Sequence, residues 1–419
     1  MRVLLLSTTT GYQLRSFGDA AERLGIELLL ATDRCHHLED PWRDGAVPVR
    51  FYDDEESVDA ILGVAREKPI DGLIAVGDRP TTLAARAAEA LGLRWNSVES
   101  AEISRSKRAM RRAFTAARLE VPWFVDLPTG TDPRVIGAAI PYPCVVKPLG
   151  LSGSRGVIRA DSSEQLVAAV KRIQALLARP DVRAQRSGLL DALIVEGYLE
   201  GPEYAIEGLL TDGCLRVLAI FDKPDPLIGP FFEETIYVTP PAISAALEQQ
   251  IASEVQRATA AIGLRHGPVH AECRVGPNGV AMLEVAARPI GGICSKVLRF
   301  ERDGETASLE EVLLRHACGE DVSAYVREPQ AAGVMMIPIP KRGIYRSVAG
   351  QAAAAALPHI EEVIITAKED QLIEPLPEGD SYLGFIFARA GESAAVVATL
   401  RAAHQKLEFE IQPEVPMIR

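Results

Sequence analysis

The sequence predicts a chain of mixed α/β and α+β architecture, in which a parallel α/β domain precedes a sheet-rich core and a small α+β unit. Three observations carry this prediction. Strands and helices alternate over the first hundred residues, a glycine-rich loop joins two strands beyond Pro122, and a β-hairpin near residue 280 carries two facing glutamates. We expect domains at 1–105, 106–330 and 331–419, with a flap subdomain at about 125–200.

The composition is that of a soluble globular protein, because 47% of the 419 residues are hydrophobic and 24% are charged. The net charge of -12 argues against a nucleic-acid partner, since nucleic-acid binders usually present a basic surface. No apolar run is long enough for a signal peptide or a membrane span, so we expect a cytoplasmic protein with no membrane partner. The six cysteines are scattered without a C-x-x-C pair, which indicates neither a zinc site nor a disulfide framework.

The first hundred residues read as alternating elements, which implies a parallel sheet with crossover helices. The predicted strands are 3–7, 26–31 and 73–76, and the predicted helices are 16–24, 56–68 and 79–91. The loop from Ser7 to Gly11 follows the first strand, where open α/β sheets bind ligands. It has no G-x-G-x-x-G pattern, so we do not predict dinucleotide binding. His36 and His37 lie in a polar loop and are interpreted as solvated.

A basic segment follows and is predicted to form one helix. Most of its charges are interpreted as a solvated face, because one helix cannot direct them all at one ligand. The segment contains Arg105, Lys107, Arg108, Arg111, Arg112 and Arg118.

The next chemical signal is a buried strand, 144–148, that contains Lys147 and leads into a loop with a glycine at every third position. Backbone N–H groups in such a loop can approach phosphate oxygens without interference from a Cβ atom. A second strand at 157–159 makes this a flap between antiparallel strands, whereas a P-loop would open a helix. The alternative is a plain flexible hairpin, and Lys147 favours the phosphate-binding interpretation.

Beyond the flap we predict a helix at 162–178, a buried strand at 193–196, two strands at 203–210 and 214–221 that pair across a turn, and a helix at 243–262. The aromatic and acidic loop 230–235 is interpreted as a wall of a substrate site. The C-terminal unit is predicted to hold strands at 333–337, 363–366 and 382–390 and helices at 351–356 and 392–404.

The hairpin at 266–292 carries the sharpest prediction. If Pro277-Asn278-Gly279 is a three-residue loop with Gly279 in the left-handed conformation, residues whose numbers sum to 556 face each other. Glu272 then faces Glu284. One face gathers Ala271, Cys273, Val275, Ala281, Leu283 and Val285, and the other gathers His270, Glu272, Arg274, Met282 and Glu284.

Two carboxylates that face each other across a sheet repel, with Cβ atoms roughly 5 Å apart. A cation is therefore expected between them, and hard oxygen ligands indicate Mg²⁺. The alternative is a solvated face on which Arg274 pairs with one of the glutamates.

Five features occur in the order and approximate spacing of the ATP-grasp superfamily: Lys107, Lys147, the glycine flap, the segment from Glu196 to Glu203 and the pair Glu272/Glu284. This chain resembles that superfamily over essentially its whole length. Within that superfamily, four features are most similar to the bacterial L-amino-acid ligases, which join two amino acids into a dipeptide. These are the opening 5–12, the turn 76–80, the segment 288–292 and the C-terminal unit.

The resemblance implies an ATP-grasp fold that uses ATP and Mg²⁺, with Mn²⁺ as a substitute. It implies phosphate contacts from Lys107, Lys147 and the flap residues Ser152, Gly153 and Ser154. Adenine is expected at Glu196 and the hinge residues Tyr198 and Leu199, and the ribose at Glu203. The metal ligands are Glu272 and Glu284. Arg288 is expected to stabilise the transferring phosphoryl group and later an oxyanion, together with Gly291 and Gly292.

The implied reaction joins a small-molecule carboxylate to an amine, expected to be amino acids, through an acyl phosphate. Glu234 and His270 are the groups expected near the amine, although Glu234 also reads as a surface acid and His270 as a hydrogen-bonded strand residue. Two departures from the family pattern are Ala286, in place of a metal-binding Asn, and Gly197, where a charged residue is frequent. The alternatives are a carboxylase or formate-using enzyme and a non-catalytic nucleotide-binding protein. A homodimer is compatible with the sequence.

Overall fold

The computed structural model describes residues 1–8, 12–33 and 46–414. Thr9, Thr10 and Gly11 of the predicted ligand-binding loop, together with Cys35, His36 and His37, lie outside the described residues. Among the helices of the described ranges, none combines the length and the apolar character that crossing a membrane requires.

The N-terminal domain is a parallel four-stranded sheet in the order β3-β2-β1-β4 with helices packed against it, as predicted. Residues 3–6 of its first strand form a fully buried apolar run, which explains why this strand lies inside the sheet. Its elements are β1 (Arg2–Ser7), α1 (Tyr12–Leu24), β2 (Glu27–Thr32), β3 (Val47–Pro48), α2 (Asp54–Glu67), β4 (Gly72–Val76) and α3 (Pro80–Leu91).

The basic segment forms two helices, α4 (Val98–Arg105) and α5 (Lys107–Ala116), where the sequence predicted one. The break lies at Ser106, which has extended backbone and caps α5 by accepting a hydrogen bond from the Ala109 N–H at 3.3 Å. This break brings α5 against the edge of the core sheet.

The flap subdomain is a four-stranded antiparallel sheet in the order β5-β8-β6-β7, covered by one long helix. The apolar side of α7 packs on this sheet through Leu166, Val170 and Ile173. The elements are β5 (Phe124–Pro128), α6 (Arg134–Gly137), β6 (Cys144–Pro148), β7 (Ile158–Ala160), α7 (Ser163–Leu177), α8 (Pro180–Arg183) and β8 (Ala192–Gly197).

The core is an eight-stranded antiparallel sheet in the order β13-β12-β9-β10-β11-β17-β21-β19. Helix α9 packs under its hairpin edge, while a small sheet β15-β14-β16 and α10 lie beside it. The elements up to residue 327 are β9 (Glu203–Thr211), β10 (Cys214–Asp222), β11 (Ile236–Thr239), α9 (Ala245–Ala261), β12 (Gly267–Gly276), β13 (Gly279–Ala286), β14 (Arg299–Arg302), β15 (Glu305–Ser308), α10 (Leu309–Ala317) and β16 (Val326–Arg327).

The C-terminal unit continues this sheet. Its first strand, β17, pairs with β11 of the core, so the predicted boundary between 330 and 331 lies at a hydrogen-bonded strand pair. A second small sheet has the order β20-β18-β22. The elements are β17 (Ala331–Ile337), β18 (Gly343–Ala349), α11 (Gln351–Ala355), β19 (Ile360–Ile365), β20 (Leu372–Ile373), β21 (Gly384–Ala390), α12 (Ser393–His404) and β22 (Glu408–Gln412).

Candidate active site

A cavity of about 610 Å³ lies between the flap, the hinge, the hairpin and the C-terminal strands. Every residue that the sequence predicted for a site lines it. These are Lys107, Lys147, Ser152, Gly153, Ser154, Glu196, Tyr198, Leu199, Glu203, Glu234, His270, Glu272, Glu284, Arg288, Gly291 and Gly292.

The hairpin β12–β13 places Glu272 opposite Glu284, as predicted, but by a different route. The loop is shorter than predicted, because Gly276 pairs with Gly279, whose φ is +105°. A β-bulge then inserts Leu283 as one extra residue between the pairs Cys273–Met282 and Glu272–Glu284. The two irregularities cancel, so the glutamates face each other even though the register near the turn is shifted by one.

The hairpin geometry corrects three of the predicted side-chain positions. Ala281 was predicted on the apolar face, yet it pairs with Arg274, which lines the cavity. Met282 was predicted on the face of the glutamates, yet it is fully buried in the apolar cluster beneath the hairpin. Leu283 was predicted on the apolar face, yet it lines the cavity beside Glu284. The physical reason is the extra residue, which places two consecutive side chains on the cavity side of the strand.

Arg111 is an exception to the interpretation of the basic segment as mostly solvated, because its side chain is 1% exposed. It donates from Nη1 to the carbonyl oxygens of Leu283 at 2.9 Å and Met282 at 3.3 Å. It also donates from Nε and Nη2 to the two carboxylate oxygens of Glu196, at 2.9 and 3.2 Å. One buried guanidinium therefore joins the hinge to the bulge.

Lys223, which the sequence analysis did not identify, lies at the centre of an acidic cluster. Its Nζ atom is 2.7 Å from Glu203, 2.5 Å from Glu234 and 2.9 Å from Glu272. Burial favours loss of its proton, but the three carboxylates outweigh burial and raise the pKa of Lys223 well above its ordinary value. The residue directly follows β10, and its position after a buried strand was the one available signal.

The acidic groups around Lys223 differ in their protonation equilibria. Burial raises the pKa of Glu272, but Lys223 and His270 hold it well below the usual range. Burial also raises the pKa of Glu234, and there the added repulsion from Glu272 and Glu203 leaves the pKa raised despite Lys223. Glu272 is thus the more strongly ionised of the two.

The donor set at the hairpin fits a divalent metal ion. Glu272 and Glu284 offer carboxylate oxygens, which Mg²⁺ and Mn²⁺ prefer, and both line the cavity. Ala286 is buried and contributes no oxygen, so residue 286 adds nothing to this set. Oxygens of Glu203, Glu234 and Glu272 also lie within 4.8 Å of one another, but the ammonium of Lys223 lies among them.

The two predicted phosphate-binding lysines lie at the entrance to the flap. Lys107 donates to the carbonyl of Leu151 at 2.7 Å and lies 3.6 Å from Glu284. Lys147 forms an ion pair with Glu196. In the flap, Gly153 (φ 64°) and Ser154 (φ 56°) are both left-handed, and the position that a Cβ of Gly153 would take is open.

The two predicted nucleoside-binding acids are both neutralised by buried cations. Glu196 bonds Arg111 and Lys147, which lower its pKa to about 2 against the opposing effect of burial. Glu203 accepts from Lys223 and from Arg274 Nε at 2.9 Å. Arg274 therefore pairs with Glu203, and the alternative in which it pairs with a glutamate of the facing pair is wrong.

The hinge and the aromatic loop close one side of the cavity. The guanidinium groups of Arg159 and Arg274 both lie over the Tyr198 ring, at 4.4 and 5.1 Å from its centroid. The Leu199 carbonyl accepts from Arg274 at 2.7 Å. Phe232 and Glu234 of the loop 230–235 line the cavity, as the predicted wall requires.

Arg288 pairs with Asp78 of the N-terminal domain, through Nε–Oδ1 and Nη2–Oδ2 distances of 2.9 and 3.4 Å. The alternative in which Arg288 pairs with one of the glutamates is wrong. Burial raises the pKa of Asp78, but Arg288 reverses that effect and lowers it. Gly291 and Gly292 follow on the exposed rim of the cavity.

His270 is held by a carboxylate that the sequence analysis missed. Its Nδ1 lies 2.5 Å from Oε1 of the buried Glu207, and its Nε2 lies 3.6 Å from Glu272. Burial lowers the pKa of His270, but the hydrogen bond to Glu207 outweighs it and raises the pKa to about 9.

The C-terminal unit fastens the flap from outside. Arg155, in the flap, donates to the Glu378 carbonyl at 2.9 Å and to Asp380 at 3.2 Å. The Gly156 N–H donates to the Pro377 carbonyl at 2.9 Å. The loop 374–382 therefore covers the flap and contributes Asp380, Ser381 and Tyr382 to the cavity wall.

Comparison with known families finds matches to three separate segments of the chain. Residues 18–93 match the ATP-grasp N-terminal domain, residues 140–297 match the ATP-grasp domain, and residues 335–412 match the L-amino acid ligase C-terminal domain 2.

Two of the similar proteins are named as ligases. The alanine–anticapsin ligase of Bacillus subtilis is 30% identical over 253 residues, which are 57% of this chain and 52% of that protein. The chain thus spans about half the length of the curated relatives that it matches. The crystal structure of an L-amino acid ligase from Bacillus licheniformis superposes with a TM-score of 0.83 at 26% identity and covers 98% of both chains. A carboxyaminoimidazole ribonucleotide synthase from Aspergillus clavatus, solved with ATP, shares the fold at 16% identity and a TM-score of 0.70, over 96% of this chain and 97% of that one. With its glycine flap, its facing glutamates and all three matched domains, the chain belongs to the ATP-grasp superfamily.

Proposed function

We propose that the protein is an ATP-dependent carboxylate–amine ligase that joins two amino acids, or closely similar molecules, into an amide. The observation that carries this proposal is a single cavity lined by the flap, the hinge, the facing glutamates and Arg288. A nucleotide and two small substrates need such a shared space, because phosphoryl transfer and amide formation occur at the same carboxyl group.

The proposed reaction has two steps. A carboxylate oxygen of the first substrate attacks the γ-phosphorus of ATP, the bond to the ADP oxygen breaks, and an acyl phosphate forms. The amine nitrogen of the second substrate then attacks the acyl carbon, inorganic phosphate leaves with the former carboxylate oxygen, and one proton is released. The products are the amide, ADP and phosphate.

Phosphoryl transfer depends mainly on positioning and on neutralising charge. In this proposal Lys107, Lys147 and the flap N–H groups bind the phosphates. Mg²⁺ held by Glu272 and Glu284 would supply the remaining positive charge at the phosphates. Because Lys147 is bonded to Glu196 and Arg111 also neutralises that acid, Lys147 can turn toward a phosphate without leaving a buried carboxylate unpaired.

At the acyl end, Arg288 has its direction fixed by Asp78 and lies next to the glycine pair. We assign it to the substrate carboxylate and to the oxyanion that forms on amine attack, with backbone N–H groups of Gly291 and Gly292 as further donors. Glu234 and His270 line the same cavity and are the groups that we assign to the amine.

The class of substrate is supported by the names of two similar proteins, alanine–anticapsin ligase and L-amino acid ligase.

The test is a phosphate-release assay over a matrix of amino acids, supplied with Mg·ATP, with mass spectrometry of the amide products. We expect release with particular pairs and a product mass equal to the two amino acids minus water. Bicarbonate and formate form separate arms. Release with either of these and none with any amino-acid pair would overturn the proposal, as would binding of Mg·ATP without turnover in every arm.

A further inference from the structure

The hydrogen-bonded contact between α5 and the outer edge of β13 sets the geometry of the facing glutamates. β13 is the terminal strand of the eight-stranded sheet, so within the described ranges no further strand pairs with its outer edge. Helix α5 takes that place over residues 282–285. Arg111 donates to the carbonyls of Met282 and Leu283, and the Val285 N–H lies 3.4 Å from Met110 Sδ.

The bulge at Leu283 decides which way Glu284 points. Between the turn and the bulge, paired residues have numbers that sum to 555. If that register continued, Glu272 would face Leu283, and Glu284 would sit opposite Ala271 and point into the apolar cluster, because side chains alternate along a strand. The extra residue is therefore what brings Glu284 to the cavity.

A bulge interrupts the ladder and leaves its extra residue unpaired with the neighbouring strand, so something else must satisfy the backbone there. The carbonyl of that extra residue is the one that Arg111 binds at 2.9 Å, and the guanidinium is almost completely buried. The other two nitrogen atoms of the guanidinium, Nε and Nη2, donate hydrogen bonds to Glu196 in β8. These bonds fix the guanidinium plane from the opposite side.

We propose that Arg111 is a positioning residue: it clamps the bulge and thereby keeps Glu284 facing Glu272, so that the pair retains its metal-binding geometry. The inference rests on the proposed function, because the pair is assigned there as the metal ligands. Arg111 itself touches neither glutamate of the pair in the described contacts, and it acts through the backbone of residues 282 and 283.

The test measures Mn²⁺ binding in the absence of nucleotide, by electron paramagnetic resonance titration, together with amide hydrogen exchange of residues 282–285. The variants are Arg111→Met and Arg111→Lys. The matched control is Arg112→Met on the same helix, because Arg112 is exposed and pairs with Asp126 at 2.7 Å. We expect Arg111→Met to weaken Mn²⁺ binding at least tenfold and to speed exchange at 282–285, and Arg112→Met to change neither.

A second comparison separates the effect of the Arg111 hydrogen bonds to the bulge from the effect of its ion pair with Glu196. In a Glu196→Gln background the charge partner is gone, while the carbonyls of Met282 and Leu283 remain. If Arg111 acts on the bulge, Arg111→Met still weakens Mn²⁺ binding in that background. Arg111→Lys keeps the charge but not the fork of donors, and it covers the case in which Arg111→Met does not fold, which thermal unfolding detects.

The outcomes distinguish this inference from the proposed function. If Glu284→Gln abolishes Mn²⁺ binding and Arg111→Met and Arg111→Lys leave it unchanged, the positioning role is overturned while the metal pair stands. If Glu284→Gln has no effect, the metal assignment itself fails, and exchange at 282–285 then decides the clamp. Faster exchange in the Arg111 variants supports the clamp, and unchanged exchange overturns it.

Discussion

Asp78 of the N-terminal domain holds Arg288 of the core through two hydrogen bonds, the shorter of which is 2.9 Å from Nε to Oδ1. The two residues are 210 positions apart in sequence, and the pair ties the predicted ligand end of the first parallel sheet to the proposed reaction centre. The orientation of Arg288 therefore depends on the docking of a whole domain.

We expect Asp78→Asn to lower kcat for phosphate release by about 100-fold, because a guanidinium displaced by roughly 1 Å loses its alignment with the reacting group. The KM for ATP should change little. Steady-state phosphate release measures both. The control is Asp33→Asn, which removes the Asp33–Arg79 pair and should leave kcat within about twofold. An unchanged kcat in Asp78→Asn would contradict the positioning of Arg288.

The variants Glu284→Ala and Lys147→Ala are each expected to abolish phosphate release, because one removes a metal ligand and the other a phosphate contact of the proposed site. The same assay with Glu301→Ala, an exposed acid in β14, should give the wild-type rate. Turnover retained in either site variant would show that the assignment of the site is wrong.

Removing the cation from the acidic cluster should destabilise the fold. Lys223→Met leaves Glu203, Glu234 and Glu272 together without their ammonium, and breaking a buried ion pair from one side typically costs about 3–5 kcal/mol. Urea unfolding measures this loss, and added Mn²⁺ should recover part of it. Lys296→Met breaks an exposed pair with Glu362 and should cost under about 1 kcal/mol. Equal losses of unfolding free energy in the two variants would contradict the stabilising role of Lys223 in the acidic cluster.

Acid should weaken the fold through His316, whose ring stacks on His266 at a centroid distance of 4.4 Å. Burial, with a smaller contribution from His266, lowers the pKa of His316 to about 4. Between pH 6.5 and 4 the imidazole of His316 binds a proton in the unfolded chain but stays neutral in the folded chain. The free energy of unfolding therefore falls as the pH falls, by up to about 3 kcal/mol. Urea unfolding across this range should show a shallower slope in His316→Gln. A slope identical to that of the wild type would exclude His316 as its source.

Freeing the flap should weaken nucleotide binding. Arg155→Met removes the contacts with Glu378, Asp380 and Asp181 that fasten the flap, so ordering the flap over ATP then costs more. We expect the Kd for ATP, measured by calorimetry, to rise about tenfold, equivalent to about 1.4 kcal/mol. Arg183→Met, which breaks an exposed pair with Asp191 in the same subdomain, is the control and should bind as the wild type does. No difference between the two variants would contradict a role of the fastening in binding.

Much of the fold was predictable because long helices and strands show a characteristic hydrophobic periodicity and composition. The missed strands include β5, β18 and β22, which have five to seven residues each. Others, such as β3, β16 and β20, have only two residues each and exist because neighbouring strands supply their partners. Such strands leave no periodic pattern in a sequence.

The candidate site, like the fold, was predictable only in part. The facing of Glu272 and Glu284 was predicted, but the bulge was not, because Met282 and Leu283 are both apolar and either one suits either face. Arg111 and Arg112 are likewise indistinguishable in sequence, although one is buried and the other is exposed. Lys223 and Glu207 acquire their partners only through tertiary contacts.

The pairing of β11 with β17 joins the C-terminal unit to the core by backbone hydrogen bonds, with no flexible linker between them. An exchange of this unit between relatives would therefore have to reproduce a strand register, since a one-residue slip at the seam would turn every side chain of β17 over. Truncation at residue 330 would likewise uncover the edge of β11, an open template for aggregation. For protein engineering, the chain is best treated as one continuous sheet with appended lobes, and recombination points belong outside that seam.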